Sequence, residues 1–310
     1  MSSEFEFCHD DKIDWPTSHT DYELLEAIGM GASATVYRAM RKDTGTFVAI
    51  KVIDMDRFDV VVDEIRKETG IMHSLDHVNL VHIHVSFVAS SCVWMIMDLF
   101  EAGSCASALT ALAPRGFKDE ALVATLLYHT LEGLGYLHKN SFVHRDVKGS
   151  NVLLSSTGMV ALADFGVATG LSRGPRSTFT GTPAWMSPEI MEQETGYDEK
   201  ADLWSFGILA LELAYGRAPY ARFEPMKAML LTLQEDPPTA DLYNDRSFDF
   251  SKSFHRLVAK CLVKDPKKRP TVKKLLDHEF FKQKKNSEYV VEKLIHPLQQ
   301  VGNLVSLKQD

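Results

Sequence analysis

The sequence predicts an α+β chain in two lobes, a small β-rich N-lobe carrying one helix and a larger, mainly α-helical C-lobe. Three observations predict it. Short runs rich in β-branched and apolar residues recur up to Asp98. Amphipathic stretches of helical period dominate after Gly103. The 310 residues are enough for one large domain or two closely packed ones.

The elements follow in order. Strands are expected at Tyr22–Ile28, Thr35–Met40, Phe47–Ile53, Val81–Val88 and Val93–Met97, with one helix over Val60–Ser74, where Ile65, Met72 and Leu75 stand near helical spacing. Helices are expected at Asp119–Lys139, Lys200–Ala214, Pro225–Leu233, Phe254–Leu262 and Thr271–Leu276. A strand pair, Val152–Leu154 and Val160–Ala163, sits among them, joined by a turn at Ser156–Gly158. This divides the chain into an N-terminal extension (1–20), an N-lobe (21–98), a C-lobe (99–281) and a C-terminal tail (282–310). Residues 1–20 and the polar end from about Gln299 are expected to be flexible.

Composition narrows the function classes. Lys and Arg total 34 against 42 Asp and Glu, a net charge of −8, which argues against nucleic-acid binding because phosphate contacts need cations. No run of about 18 uncharged apolar residues exists, so no membrane span is expected. The acidic start, MSSEFEFCHDDK, lacks the apolar core of a secretory signal. Cys8, Cys92, Cys105 and Cys261 are dispersed, which fits a reduced cytoplasmic or nuclear setting better than zinc or a disulfide framework.

Four motifs carry chemistry. In Gly29-Met-Gly31-Ala32-Ser33-Ala34-Thr-Val36 the glycines allow a tight turn whose amides approach phosphate oxygens. The pattern also fits a dinucleotide-binding turn, with Asp54 lying 23 residues after Gly31. Such a turn must open a helix, however, and Thr35–Ala39 alternates like a strand, so the loop reads as a hairpin flap. Lys51 closes the strand Val48-Ala49-Ile50, where a lysine is ordinarily a surface residue. Glu68, 17 residues on, is positioned to pair with it, and Glu64 one turn earlier is the weaker candidate.

The third motif is His144-Arg145-Asp146-Val147-Lys148-Gly149-Ser150-Asn151, followed 13 residues later by Asp164-Phe165-Gly166. Asn151 and Asp164 offer hard oxygens suited to Mg²⁺. Asp146 can orient a hydroxyl nucleophile and accept its proton, and Lys148 can balance charge on a migrating phosphoryl group. The fourth comprises Gly181–Glu189, Asp202-Leu203-Trp204-Ser205-Phe206-Gly207 and Lys268-Arg269-Pro270. Here Glu189 and Arg269 are expected to form a structural ion pair, and Asp202 to support the loop around Asp146.

Taken together in this order, the motifs resemble those of a eukaryotic protein kinase, from Tyr22 to Phe281, 260 of 310 residues. The resemblance implies the bilobal protein kinase fold and ATP-dependent phosphorylation of protein Ser/Thr hydroxyls, with ATP and Mg²⁺ as cofactors. It implies that Lys51, paired with Glu68, meets the α/β-phosphates, that Asp146 and Lys148 are catalytic, and that Asn151 and Asp164 hold the metal. Around ATP it implies Ile28, Gly29, Gly31, Ala32, Ser33, Ala34, Val36, Ala49 and Leu153, with Met97 as gatekeeper and Asp98, Leu99 and Phe100 as the hinge. Lys148 and Gly181-Thr182-Pro183 are similar to serine/threonine kinases. Gly181–Glu189 and Pro225–Pro238 are similar to the sterile-20-like group, the latter most of all to its oxidative-stress-responsive branch.

Ala34 stands in place of a third glycine, Ser150 in place of the branch's usual glycine, and Ser187 in place of the usual alanine before Pro188-Glu189. None removes a ligand. Thr178, in the activation segment 164–189, aligns with a site phosphorylated by an upstream kinase in the resembling branch. The added charge of about −1.5 to −2 would pair with Arg145. Thr182 is expected instead to contact Asp146 and Lys148. The resemblance also admits a different class, a pseudokinase that binds and activates a partner kinase as a scaffold; the retained Lys51, Asp146, Asn151 and Asp164 speak against it. Only 29 residues follow Phe281, too few for the C-terminal docking domain that the branch often carries. Residues 264–285 hold nine Lys/Arg and three acids, a local +6 that reads as a solvated surface or as a dock for an acidic partner.

Overall fold

The computed structural model describes residues 14–31, 34–55, 75–164, 182–192, 198–243, 245 and 247–302. The chain forms two compact units that divide between Phe100 and Glu101. The expected helix over Val60–Ser74 lies outside the described residues.

The first unit is a five-stranded antiparallel sheet: β1 (Tyr22–Met30), β2 (Ala34–Arg41), β3 (Phe47–Asp54), β4 (Ile83–Ala89) and β5 (Cys92–Met97). The order is β1-β2-β3-β5-β4. Val48, Ile50 and Val52 place branched side chains on one face of β3, as the strand period of two requires. On that face Ala39, Val48, Ile50, Val85, Phe87 and Ile96 form a buried core with Tyr22. β1 is irregular, its register slipping between Leu24 and Ala27 and again between Ala27 and Gly29.

Residues 14–20, part of the extension expected to be flexible, pack on this sheet. Trp15 stacks on His84 with ring centroids 4.0 Å apart, the Arg41 guanidinium lies 5.0 Å from the Trp15 ring, and Tyr22 Oη donates to the Pro16 carbonyl at 2.8 Å. One large aromatic ring gives this polar segment enough burial to order it.

The second unit contains α1 (Cys105–Leu112), α2 (Glu120–Lys139), the hairpin β6 (Val152–Leu154) and β7 (Val160–Leu162), α3 (Pro188–Glu192) and α4 (Lys200–Tyr215). It continues through α5 (Pro225–Gln234), α6 (Lys252–Cys261), α7 (Val272–Leu276), α8 (Ser287–Val290) and α9 (His296–Gln300). α1, absent from the sequence reading, starts with a reciprocal capping box between Ser104 and Ser107. α4 is the centre of the unit: every residue from Ala201 to Tyr215 is buried. It stops at Gly216, whose φ of +83° suits glycine and where a Cβ would lie 2.3 Å from the Pro114 carbonyl oxygen.

A π-turn over Val291–Ile295 joins α8 to α9, and Val290, Leu294, Ile295 and Leu298 are buried along this segment. Tyr289 Oη donates to Asp119 Oδ2 at 2.7 Å, and the Lys285 N–H donates to Thr125 Oγ1 at 2.8 Å. Gly158 fits beneath it, since a Cβ there would meet the Ser287 carbonyl oxygen at 2.3 Å. Among the described residues no helix is long and apolar enough to cross a membrane.

Candidate active site

In the first unit the ladder aligns five of the candidate nucleotide residues. Gly29 opposes Val36, Val36 opposes Lys51, and Ala49 opposes Met97. Directly opposed residues share a face, and this face is opposite the one that carries Ile50 and Ile96. The Gly31 N–H donates to the Ala34 carbonyl at 2.9 Å. A Cβ on Gly29 or Gly31 would meet only ordinary contacts, 3.6 Å to Val36 Cβ and 3.5 Å to Ala34 O. Packing within the described chain therefore does not require either glycine. Ile28 is exposed on β1; Ala32, Ser33 and Glu68 lie outside the described residues.

The segment Asp98-Leu99-Phe100 is fixed at its start. The Asp98 N–H donates to the His82 carbonyl at 3.2 Å, and Asp98 Oδ1 lies 2.9 Å from His84 Nε2. His84 is the ring on which Trp15 stacks. Leu153 lies in the other unit, on β6, with its backbone bridged to Ser104.

In the second unit three polar side chains converge on Asp146. Its Oδ1 accepts from Thr182 Oγ1 at 2.9 Å; its Oδ2 accepts from Asn151 Nδ2 at 3.0 Å and lies 2.7 Å from Lys148 Nζ. Lys148 Nζ also donates to Thr182 Oγ1 at 2.6 Å. Asn151 Nδ2 further donates to the Asp146 carbonyl at 2.7 Å. With the amide nitrogen so committed, the Asn151 oxygen is the end left for a metal. Asp164, at the exposed end of β7 with φ +61°, supplies a carboxylate. One amide oxygen and one carboxylate suit Mg²⁺, which keeps several water or phosphate ligands of its own.

The backbone beneath these groups is held by a buried carboxylate on α4. Asp202 Oδ2 accepts the His144 N–H and Oδ1 the Arg145 N–H, both at 2.8 Å, and His138 Nε2 lies 2.8 Å from Oδ2. Arg145 can therefore keep a φ of +72°. Burial alone would raise the Asp202 pKa, but the bonds from His138 and the loop backbone outweigh it and hold the carboxyl below its ordinary range. His144 is buried, and burial lowers its pKa. Its Nδ1 accepts the Asp146 N–H at 3.2 Å, which makes Nε2 the donor to the Ala163 carbonyl at 3.0 Å. A neutral histidine thus joins the Asp146 loop to the end of β7.

The architectural pair expected from sequence is present. Arg269 donates to both oxygens of Glu189, at 2.5 and 2.8 Å, and to the carbonyls of Val263, Lys200 and Lys264. Its neighbours in the basic stretch divide between two uses. Lys264 donates to the Leu233 carbonyl at 2.8 Å and Lys284 lies 4.4 Å from the Tyr128 ring, while Lys267, Lys273 and Lys274 are solvent-exposed. Ser187, the departure beside Glu189, is fully buried, and among the described residues its Oγ has no hydrogen-bond partner. Thr178 lies outside the described residues.

Sequence reasoning missed Glu212. It is buried on α4, and its Oε2 accepts the Gly149 N–H at 2.9 Å and the Trp185 Nε1–H at 2.8 Å. A signal was available: between the terminal Lys200 and Tyr215, the polar residues of α4 are Asp202, Ser205 and Glu212, and at 100° per residue they fall on one stripe.

The protein kinase domain model matches residues 22–281. The chain belongs to the protein kinase domain family. Serine/threonine-protein kinase fray2 of Dictyostelium discoideum is 47% identical over 292 residues, covering 93% of this chain and 28% of that protein. Germinal center kinase 3 of Caenorhabditis elegans is 43% identical over 306 residues, covering 93% and 51%. Serine/threonine-protein kinase ppk11 of Schizosaccharomyces pombe is 39% identical over 263 residues, covering 84% and 81%. The chain thus spans about half or less of the length of the first two relatives. These names accord with the resemblance to the sterile-20-like group read from the motifs.

Proposed function

We propose that the chain is an ATP-dependent serine/threonine protein kinase that transfers the γ-phosphate to Ser/Thr hydroxyls of protein substrates. The observation that carries this reading is the closed set of bonds among Asp146, Lys148, Asn151 and Thr182. In that set Thr182 Oγ1 donates to the proposed base while accepting from Lys148, the bonding that an acceptor hydroxyl would need. An incoming serine or threonine would take over those partners: Asp146 orients the hydroxyl and receives its proton, and Lys148 balances charge on the transferring group.

Asn151 and Asp164 would hold Mg²⁺, which when bound neutralises phosphate oxygens. Lys51, steadied by Glu68, would hold the α/β-phosphates, and Gly29 and Gly31 would admit them close to the backbone. Val36, Ala49, Met97 and the backbone of Asp98–Phe100 would enclose the adenine. An upstream kinase would phosphorylate Thr178, giving Arg145 an anionic partner that orders the segment.

The test is phosphosite mapping of the chain and a generic basic substrate after incubation with Mg-ATP, compared with Asp146→Ala and Asp164→Ala. Transfer at least about 100-fold above both variants is expected. Label no higher than the Asp146→Ala background would overturn the enzyme reading. Equal activity of Thr178→Ala and wild type after exposure to the upstream kinase would overturn the activation step alone.

A further inference from the structure

Asp202 and Glu212 both grip the loop that carries Asp146. Asp202 takes the N–H groups of His144 and Arg145; Glu212, ten residues along the same helix, takes that of Gly149. Asp146 and Lys148 lie between these two anchors. Glu212 does something Asp202 does not. The same Oε2 that holds Gly149 also accepts the Trp185 indole N–H, three residues beyond Thr182, and Thr182 touches both Asp146 and Lys148. The fit is tight, since a Cβ on Gly149 would lie 2.8 Å from Glu212 Oε1.

We propose that Glu212 is a positioning residue that locks the catalytic loop to the Thr182–Trp185 segment, so that Asp146 and the acceptor-binding segment keep one spacing. This rests on the kinase reading above. An ionised carboxylate accepts both N–H groups more strongly than a protonated one, so the lock tightens as Glu212 loses its proton. Burial pushes the Glu212 pKa up to about 7, against the lowering effect of the Gly149 and Trp185 bonds and of the Lys148 charge. Among the described residues, Cys105 on α1 and Tyr243 also feel the Glu212 charge, and burial drives both up, so they are neutral across this range.

Two readouts on the full chain test the proposal. In the first, indole ¹⁵N–¹H signals are followed from pH 5.5 to 8.5 without nucleotide, the Trp185 signal being assigned by its loss in Trp185→Phe. The Trp185 signal of wild type is expected to shift with a midpoint near neutral pH, and that of Glu212→Gln to stay fixed. A signal independent of pH, or one that titrates alike in both proteins, would overturn the coupling even if the chain transfers no phosphate.

In the second, steady-state peptide phosphorylation is compared across the same range. Glu212→Gln is expected to lower kcat on the order of 10-fold at pH 8, to leave KM for ATP within about twofold, and to lose the acid-side inflection of wild type. Trp185→Phe, which removes one donor and leaves the carboxylate, is expected to give a smaller loss and keep an inflection. Superimposable profiles for wild type and Glu212→Gln would overturn the positioning role. Absence of transfer by wild type itself would overturn the kinase reading and leave the indole titration to decide the coupling.

Discussion

In the sheet unit, Val36, Ala49, Lys51 and Met97 are brought to one face by the backbone ladder, each strand lying in register with the next. In the helical unit, Asp146 and Lys148 sit on irregular backbone, held from below by buried carboxylates, Asp202 and Glu212. The first arrangement spreads its support over many hydrogen bonds, none of which depends on a single side chain. The second concentrates support in a few charged groups whose burial is repaid only while every partner is present. A side-chain substitution should therefore be mild in the first unit and severe in the second.

The sharpest way to break that contrast is the Glu189–Arg269 pair. Removing one partner strands a buried charge, so Arg269→Leu is expected to cost about 3–5 kcal/mol in denaturant unfolding. The double substitution Glu189→Leu/Arg269→Leu should recover part of the loss. A cost below about 1 kcal/mol for the single variant would show that support in the helical unit is as diffuse as in the sheet.

Next comes the pH dependence from Glu212. Its pKa rises from an ordinary 4.5 to about 7 on folding, so the native state holds this proton more tightly than the unfolded chain. The stability it contributes is full below about pH 4.5 and is lost as pH rises to about 7, a change on the order of 3 kcal/mol. The difference in unfolding midpoint between wild type and Glu212→Gln, measured from pH 4.5 to 8, should trace this loss. The ionisation that strengthens the proposed lock is thus the one that weakens the fold.

The smallest effect is expected in the sheet unit. Trp15→Ala removes the stack on His84 and the contact with Arg41, for about 1–2 kcal/mol. A cost above about 3 kcal/mol in the same denaturant series would place a concentrated support in the sheet as well.

What the sequence made legible follows the same division. The strands were readable because branched residues at period two have few alternatives, and the order of Lys51, Asp146, Asn151 and Asp164 marked the candidate site. The Glu189–Arg269 pair was readable because the motifs name both partners. Trp15 was not, because one aromatic in a polar segment has no period. The helices at Ser287–Gln300 were missed although Val290, Leu294 and Leu298 recur every four residues, since the flanking polar residues hid the pattern. Glu212 was missed for the opposite reason: apolar residues dominate α4, and a polar residue within it reads as noise unless the helical stripe is drawn. Long-range partners such as Gly149 and Trp185, 63 and 27 residues away, leave no local trace.

The family match stops at Phe281, yet the folded structure continues through α8 and α9 against α1 and α2. A chain trimmed at Phe281 would keep every residue discussed for catalysis. It would also strip the cover from the apolar surface that Val290, Leu294, Ile295 and Leu298 occupy, and such surface drives molecules to stick to one another. For anyone preparing a shorter piece, the place to cut is set by where the wetted surface resumes, beyond Gln300, rather than by the last recognisable motif.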